Sequence, residues 1–425
     1  NYHNLTEFTT DENGSYSYIQ DLSQFHFIFI QPRKSTKFII DNATGGDCYL
    51  IGNWDMPTKT CTLTTDLNET IQIDNNYITL DGGEHTITGT GTGNGIYVYG
   101  KRNIFIKNIN IKMFTNGIYI ANSYSNVLTN NTIISIKNSG AGILLNYSNN
   151  NILNYNTTNQ KVYGITLHHS HNNTLTNNTA SFNSSGITIG GSNNNTLTDN
   201  TVQFNDYAGI FIVDPTFESK NNILTNNIIK ENNVYDIYFP NYFYNVESCN
   251  NIITNNIGSG DRPIKFLNNS TNLENEILSE LILCNADNSY INNVIIKGSE
   301  IKKNSNDIGV YFVNSNNNIL TDNIANSNNI GIFLVQSFFN TLTNNITNLN
   351  SYSGIYLNTS DNNILNNNTV NLNNNGINIV NSNNNILTDN IVSSNMPNTH
   401  YGIFLYGSNN ILKNNTVTDV YFGIY

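Results

Sequence analysis

The chain has 425 residues, a formal net charge of −12 and a charged fraction of 11%, against about 25% in an ordinary soluble domain. Lysine and arginine number 18 against 30 acidic residues, which excludes a nucleic-acid-binding protein of the usual basic kind. No apolar run approaches the roughly 18 residues that a membrane-spanning helix needs. Asparagine is unusually abundant, with 92 residues, or about 22% of the chain.

Residues 1–61 differ from the rest of the chain, which is repetitive. The run from Phe25 to Ile30 is strongly apolar and alternates weakly, and Pro32 follows it closely. Repeat arrays need a cap over their first coil. We therefore predict a non-repeat β cap over residues 1–61, and an arm that pairs with another subunit is the alternative.

A Gly-Ile or Gly-Val dipeptide recurs through the remaining sequence. The spacings are 22, 25, 22, 22 and 23 residues in a first series, and 22, 23, 22, 26 and 21 in a second. A period in this range indicates a solenoid rather than several separate domains. The glycines are Gly95, Gly117, Gly142, Gly164, Gly186 and Gly209, then Gly309, Gly331, Gly354, Gly376, Gly402 and Gly423.

Each period contains three short segments in which apolar and polar residues alternate. Two-residue alternation over so few positions predicts strands, and none of the segments is long enough for a helix. We predict an all-β fold, a right-handed single-stranded parallel β-helix of about 15 coils over residues 62–425. Each coil of about 22 residues has three short strands, and irregular coils are expected at about 236–308. Ile118 and Ile143 would stack in one core column, and Leu128 and Leu153 in another.

The asparagines recur at fixed places between these strands. Asparagine tolerates the left-handed backbone conformation of a tight turn, and its amide can bond to an identical amide in the next coil. We therefore assign them an architectural role and no chemistry. The strongest predicted column is Asn131, Asn156, Asn178, Asn200, Asn227, Asn256, Asn293, Asn323, Asn345, Asn368, Asn390 and Asn415.

This repeat resembles the NosD-like parallel β-helix proteins, a group common on the surfaces of methanogenic archaea. The segments 62–67, 78–89 and 93–98 look like the first coils of such proteins. The resemblance covers residues 62–425 and implies a cell-surface, surface-layer or adhesive role, while related β-helices include polysaccharide lyases and epimerases. The copper of the family name is not expected here, because no Met/His cluster supports it.

Four cysteines occur, and none shows the spacing of a zinc site. The even number permits the disulfides Cys48–Cys61 and Cys249–Cys284, which would fit an oxidising exterior. Buried free thiols are the alternative. About 17 glycosylation sequons give weak support to secretion in so asparagine-rich a chain.

The residue two after each repeat glycine is predicted to point outward, and most of these residues are aromatic. We predict that they form a strip, with a small or polar middle, that packs on a neighbouring copy as an assembly face. Stacking on sugar rings, or cover by loops and glycans, are the alternatives. The residues are Tyr97, Tyr119, Phe211, Tyr238, Tyr311, Phe333, Tyr356, Phe404 and Tyr425.

The sequence offers little that resembles a catalytic or metal site. The coils are nearly free of charge, so no acid–base cluster of an enzyme is expected, and no cofactor. His168, His169 and His171 form a histidine cluster that is a weak metal candidate, with a surface turn as the simpler explanation.

These features together predict a secreted structural protein of the cell surface. A new coil begins at Gly423, and an open β-helix edge would template pairing, so we expect copies to assemble into a layer, sheath or filament. The expected partners are copies of itself and surface glycans, without nucleic acid and without a membrane-spanning segment. A carbohydrate-binding adhesin is the second hypothesis, and a polysaccharide lyase or epimerase is the third.

Overall fold

The computed structural model describes residues 36–134, 140–213, 219–239, 249–299, 308–393 and 401–425. They form an all-β solenoid of about 14 turns, which confirms the predicted right-handed parallel β-helix. The helical content of these residues is slight: α1 (Cys48–Ile51) and a 3-10 turn at Ser259–Asp261. The strands, numbered in chain order, stack coil upon coil into five sheets.

Sheet 1 has nine strands and sheet 2 has ten. Sheet 1 consists of β1 (Lys37–Ile39), β4 (Ile71–Ile73), β7 (Asn94–Tyr99), β10 (Asn116–Ala121), β13 (Ala141–Asn146), β16 (Tyr163–His168), β19 (Ser185–Gly190), β22 (Ala208–Val213) and β25 (Tyr235–Tyr238). Sheet 2 consists of β2 (Gly52–Asp55), β3 (Thr60–Leu63), β5 (Thr79–Asp81), β8 (Phe105–Lys107), β11 (Val127–Thr129), β14 (Ile152–Asn154), β17 (Thr174–Thr176), β20 (Thr196–Thr198), β23 (Ile223–Thr225) and β26 (Ile252–Thr254).

Sheet 3 has sixteen strands and runs through both halves of the molecule. Its first half consists of β6 (Thr86–Thr88), β9 (Asn110–Lys112), β12 (Thr132–Ile134), β15 (Thr157–Asn159), β18 (Thr179–Ser181), β21 (Thr201–Gln203), β24 (Ile228–Lys230) and β27 (Asn256–Ile257). Its second half consists of β28 (Pro263–Leu267), β31 (Glu280–Cys284), β34 (Ile308–Val313), β37 (Ile330–Val335), β40 (Ser353–Asn358), β43 (Asn375–Val380), β46 (Tyr401–Tyr406) and β49 (Phe422–Ile424).

Sheets 4 and 5 have seven strands each and belong to the second half. Sheet 4 consists of β29 (Asn272–Glu274), β32 (Tyr290–Asn292), β35 (Ile319–Thr321), β38 (Thr341–Thr343), β41 (Ile364–Asn366), β44 (Ile386–Thr388) and β47 (Ile411–Lys413). Sheet 5 consists of β30 (Ile277–Leu278), β33 (Ile295–Lys297), β36 (Ile324–Asn326), β39 (Ile346–Asn348), β42 (Thr369–Asn371), β45 (Ile391–Ser393) and β48 (Thr416–Thr418).

The start of the described chain joins the solenoid directly. Strand β1 pairs in parallel with β4 of sheet 1, and β2 forms an antiparallel hairpin with β3 at the edge of sheet 2. The predicted cap also includes residues 1–35, which lie outside the described residues, so a boundary at residue 61 stays a prediction.

The core is built from columns of identical positions in successive coils. Ile118 pairs in register with Ile143 in sheet 1, and Leu128 pairs with Leu153 in sheet 2, as the repeat predicts. All four side chains are fully buried. Neighbouring strands lie about 4.8 Å apart, so each coil covers the apolar surface of the one before it.

Asparagine ladders follow the corners of the solenoid. The Asn156 amide donates to Asn178 Oδ1 at 3.0 Å, and the Asn178 amide donates to Asn200 Oδ1 at 3.0 Å. The same Oδ1 atoms accept the backbone N–H of the preceding ladder residue, and the second amide hydrogen of Asn178 goes to the Leu153 carbonyl at 2.8 Å. Each ladder residue therefore satisfies polar backbone atoms that the turn leaves buried.

The ladder has one register difference from its predicted column. Asn293 lies in the left-handed region with φ 50°, and its amide donates to Asn275. The buried Val294 takes the ladder position and donates its backbone N–H to Asn323 Oδ1 at 2.9 Å. The ladder is thus interrupted within the irregular coils and resumes from Asn323.

The strand direction in sheet 3 reverses once, at the junction of the two halves. Strand β27 pairs with β28 in antiparallel fashion, through Asn256 with Ile264, whereas β28 and β31 are parallel again. The repeat glycines also change sheet here, because the Gly-Ile strands lie in sheet 1 before the junction and in sheet 3 after it. The change lies within the irregular coils that the repeat predicts at about 236–308, but the repeat does not indicate that the strand direction reverses.

The reversal places the two cores on opposite faces of sheet 3. In β31, Leu281 and Leu283 belong to the core of the second half, whereas Ile282 and Cys284 belong to the core of the first half. All five residues of β31 and all six residues of β34 are buried. A half-turn about the solenoid axis reverses the strands and moves the core to the other face without changing the hand of the coil.

A buried carboxyl group ends one of the ladders near this junction. Asp236 Oδ1 accepts from the Asn232 amide at 2.8 Å, and Oδ2 accepts from the Ser259 hydroxyl at 3.1 Å. Burial raises the pKa of Asp236 to about 7. The folded state therefore holds this proton more tightly than the unfolded chain, and the stability it contributes is lost as the pH rises from about 4 through 7.

We predict that Asp236→Asn removes part of this pH dependence, because the amide is neutral at every pH. One carboxyl oxygen becomes an NH2 group that can no longer accept from Asn232 or from the Ser259 N–H, which lowers stability equally at every pH. Relative to the parent chain, the variant should nevertheless gain up to about 4 kcal/mol between pH 4 and pH 8, if 1.36 kcal/mol applies per pKa unit. Thermal unfolding at pH 4, 6 and 8 measures this.

The control is Asp261→Asn, which removes an exposed carboxylate whose pKa the hydrogen bond from Lys230 lowers. It should not be more stable than the parent chain at pH 8. If the difference in stability between Asp236→Asn and the parent chain is the same at all three pH values, the raised pKa of Asp236 is contradicted.

Candidate functional site

The predicted aromatic strip is divided between two sheets. Tyr97, Tyr119, Phe211 and Tyr238 share one outward column of sheet 1. The remaining residues share a column of sheet 3 in the second half, which is a consequence of the reversal at the junction. The members of this second column are Tyr311, Phe333, Tyr356, Phe404 and Tyr425.

Most of these rings are half-buried because they stack on each other along the columns. Phe211 lies parallel to Tyr238 at 5.5 Å between ring centroids, and Phe333 lies parallel to Tyr356 at 4.9 Å. Tyr311 is 1% exposed, and its hydroxyl donates to the Phe239 carbonyl at 2.8 Å. Tyr311 is therefore part of the junction core and cannot contribute to an assembly face.

The column of sheet 1 contains a groove beside the Phe211 ring, which stacks on Tyr238 at 5.5 Å between ring centroids. The smaller Thr166 and Thr188 precede Phe211 in the column. Leu144 separates them from Tyr119, whose ring lies 5.5 Å from that of Tyr97. The groove has a volume of about 320 Å³ and is lined by Tyr163, Thr166, Leu167, His168, Thr188, Gly190, Phe211 and Val213. We call it the sheet 1 groove.

Two hydroxyl groups in the sheet 1 groove have no hydrogen-bond partner among the described residues. Thr166 Oγ1 and Thr188 Oγ1 are both inaccessible to bulk solvent, and Thr188 as a whole is 7% exposed. A buried polar group without a partner costs about 1–3 kcal/mol. Because neither oxygen has accessible surface, the two hydroxyls are a property of the packing and are not groups that a ligand in the groove contacts.

A polar wall borders the sheet 1 groove beside the threonines. The Asn146 amide donates to the Tyr119 hydroxyl at 3.1 Å, and His168 Nδ1 lies 2.8 Å from Asn146 Oδ1. Tyr119, Asn146 and His168 are therefore joined by hydrogen bonds along this border. Among the described lining residues, none carries a carboxylate, ammonium or guanidinium group.

The histidine cluster does not gather into a metal site. The rings of His168 and His169 are 4.2 Å apart, but His171 Nδ1 accepts the Asn193 backbone N–H at 3.0 Å. Burial, with the nearby charge of His169, lowers the pKa of His171. In the part of the chain that the structure describes, no three His, Cys, Asp or Glu residues lie close enough to hold a metal ion.

Both predicted disulfides are present. Cys48 and Cys61 have Cα atoms 5.8 Å apart, and Cys249 and Cys284 have Cα atoms 5.3 Å apart. The first disulfide joins α1 to β3, and the second joins the end of the first half to β31. Disulfides form in oxidising compartments, so they indicate an exported protein.

The family model described as "Periplasmic copper-binding protein (NosD)" matches residues 69–279 and 268–422. The chain belongs to the NosD family. The word "periplasmic" in that description and the two disulfides both indicate an exported protein. Within the described ranges, no helix is long and apolar enough to cross a membrane.

The residues of this NosD-family chain do not fit the copper of that description. Copper sites use thiolate, thioether and imidazole ligands. All four cysteines are disulfide-bonded, and His171 Nδ1 is engaged with the backbone. We therefore derive no chemistry through copper.

No curated protein matches the chain. Similar solved structures include the A-module of the mannuronan C-5 epimerase AlgE4 of Azotobacter vinelandii, with 12% identity, coverage of 86% of both chains and a TM-score of 0.31. The periplasmic alginate epimerase AlgG shows 14% identity, coverage of 86% of this chain and 79% of that chain, and a TM-score of 0.32. The surface adhesin PfbA of Streptococcus pneumoniae shows 12% identity, coverage of 77% and 82%, and a TM-score of 0.30.

Thr166 and Thr188 belong to the small or polar middle of the predicted strip, whereas Tyr163 and Asn146 were not singled out from the sequence. The sequence pattern that could have indicated the groove is the small or polar middle of the aromatic column, because small side chains between large ones leave a groove. The hydrogen-bonding state of a threonine hydroxyl cannot be read from its repeat position, because most outward threonines of a β-helix face water.

We predict that Thr188→Val stabilises the unliganded protein by up to about 1 kcal/mol, because valine has the same shape and lacks the unpartnered hydroxyl. Chemical unfolding of the two proteins measures the difference. The control is Ser148→Ala, since Ser148 donates to the Asn146 carbonyl at 2.9 Å and accepts the Ser123 backbone N–H at 3.2 Å. That variant should lose stability, and an equal loss in Thr188→Val would show that its hydroxyl has a partner.

Proposed function

We propose that this chain is an exported carbohydrate-binding protein of the cell surface that holds a neutral glycan in the sheet 1 groove. The observation that supports the proposal best is the lining of the groove, which combines the Phe211 ring with small polar side chains and has no carboxylate, ammonium or guanidinium group among its described residues. Ligand sites commonly combine apolar and aromatic walls with a few placed polar groups, and the groove has this composition.

The chemistry of the groove suits a sugar ring. A hexose presents C–H groups on one face, which pack against an aromatic ring such as Phe211. Its hydroxyl groups both donate and accept, so they suit the polar side chains at the border of the groove. His168 and Asn146 offer further polar contacts at the border.

The charge distribution favours a neutral glycan over a polyuronate. The described lining residues provide no ammonium or guanidinium group to bind a carboxylate. The chain as a whole carries a net charge of −12, which repels polyanions at long range. The groove also lacks, among these residues, a carboxyl pair for acid–base chemistry, so we propose binding rather than catalysis.

Assembly of copies into a layer, sheath or filament remains a separate prediction. The stacked rings of the two aromatic columns already contact each other within one chain, and Tyr311 is inaccessible. These columns therefore offer less free apolar surface than the sequence suggested, and the sheet 1 groove is the better-supported feature.

The test is binding of the purified chain to immobilised laminarin, mannan, galactan and chitin oligosaccharides, with alginate and pectate as acidic probes. We expect binding to at least one neutral glycan and none to the polyuronates. Phe211→Ala should weaken that binding at least about tenfold, equivalent to about 1.4 kcal/mol.

The matched control is Phe182→Ala, because Phe182 is exposed and stacks on Phe204 at 5.4 Å but does not line the groove. It should bind as the parent chain does. Failure of every neutral glycan to bind, preference for the polyuronates, or an equal loss in Phe182→Ala would each contradict the proposal.

A further inference from the structure

The sheet 1 groove follows the direction of the strands. Its lining reaches from the first residue of β16, Tyr163, to the last, His168, but it comes from three coils, those of β16, β19 and β22. At about 3.3 Å per residue, such a six-residue strand is about 20 Å long, whereas β16 and β22 are two strand spacings, or about 10 Å, apart. The groove is therefore longer along the strands than along the solenoid axis.

The middle strand, β19, forms the floor of the groove. All six of its residues are buried, whereas β16 has two exposed residues and β22 has two half-buried ones. The residues of β19 that line the groove, Thr188 and Gly190, are small. The neighbouring strands therefore form walls, and β19 is recessed between them.

Gly190 contributes most to the depth of this floor. It pairs in register with His168 of one wall and with Val213 of the other. Ile189, the residue before it, belongs to the core. Because side chains alternate across a strand, a side chain at position 190 would point into the groove and fill it.

The packing of the solenoid does not require a glycine at position 190. A Cβ atom at the repeat glycine Gly186 would overlap with the Val202 side chain. A Cβ atom at Gly190 would instead have the carbonyl oxygens of Val213 and Leu167 as its nearest neighbours, at 3.3 and 3.8 Å, and Gly190 does not have a positive φ. A glycine weakens a strand, and it can mark the place where a ligand approaches the backbone closely.

We propose that the glycan lies along β19, across the solenoid axis, and that Gly190 provides the space in which one of its sugar rings packs. The class of ligand rests on the proposed function, whereas the placement rests on the depth and direction of the groove. A ring over Gly190 lies between His168 and Val213. The sugar chain then continues along the strands toward Tyr163 rather than along the aromatic column toward Tyr119.

Binding of the parent chain and of Gly190→Val to laminarin, mannan, galactan and chitin oligosaccharides tests the role of Gly190. The variant should bind the glycan that the parent chain binds at least about tenfold more weakly, because the added side chain occupies the space of the ring. Its free energy of unfolding should be equal to that of the parent chain or higher, since valine suits a strand better than glycine. A purely structural role of Gly190 would lower stability and binding together.

Two further variants test the direction of the bound glycan. Tyr163→Ala should weaken binding, because Tyr163 lines the groove at one end of the strands. The double variant Tyr97→Ala/Leu144→Ala removes apolar surface from the column beyond the groove and keeps the hydrogen bond between Asn146 and Tyr119. It should bind as the parent chain does.

The control for the added valine is Thr196→Val, which lies in β20 of the same coil, outside the lining of the groove, and should bind as the parent chain does. Gly190→Ala replaces Gly190→Val if the latter does not fold, as judged by its unfolding transition, and should also bind more weakly than the parent chain.

Binding equal to that of the parent chain in the Gly190 variant that folds would overturn the placement and leave the proposed function intact. An equal loss in Tyr163→Ala and in the double variant would do the same. Absence of binding by the parent chain to every neutral glycan would instead contradict the proposed function.

Discussion

The hydrogen bond between stacked asparagine amides is the interaction on which this solenoid depends. A coil of three short strands must turn sharply at each corner, and the buried N–H and C=O groups of the corner have no ladder partners of their own. The Asn178 side chain satisfies two of these groups in the preceding coil, because its Oδ1 accepts the Asn156 backbone N–H and its amide donates to the Leu153 carbonyl. The Asn200 side chain in turn accepts the Asn178 backbone N–H. The residue before it, Asn177, takes the left-handed conformation with φ 55° that the corner requires. The Asn-Asn pair thus divides two tasks between two residues, and this explains the unusual composition.

The reversal in sheet 3 determines where function can lie. It places β31 and β34 between two cores, converts outward positions such as Tyr311 into core positions, and divides the aromatic residues between sheets 1 and 3. The Cys249–Cys284 disulfide joins the two halves at the same place. A single regular solenoid would have had one continuous aromatic strip, whereas this chain has two shorter columns.

The regular parts of the fold were predictable because the spacing of the repeat determines which residues stack in successive coils. The stacking of Ile118 on Ile143, the ladder through Asn178 and the two disulfides follow from spacing and parity. The register at Val294 and the antiparallel pairing of Ile264 could not be predicted in this way. A one-residue shift or a change of sheet leaves the local alternation of apolar and polar residues unchanged. The sheet 1 groove was only partly visible, since the aromatic column is a sequence pattern but the unpartnered Thr188 hydroxyl is a property of packing.

The central claim is that ladder asparagines stabilise the fold through hydrogen bonds that no neighbouring residue can replace. Comparison of the unfolding free energies of Asn178→Ala and Asn177→Ala tests it most directly, because the two positions are adjacent and differ in role. The account predicts a loss of about 2–4 kcal/mol for Asn178→Ala, since several buried groups lose partners, and about 1 kcal/mol for Asn177→Ala, the cost of a left-handed residue. Equal losses, or a larger loss in Asn177→Ala, would contradict it.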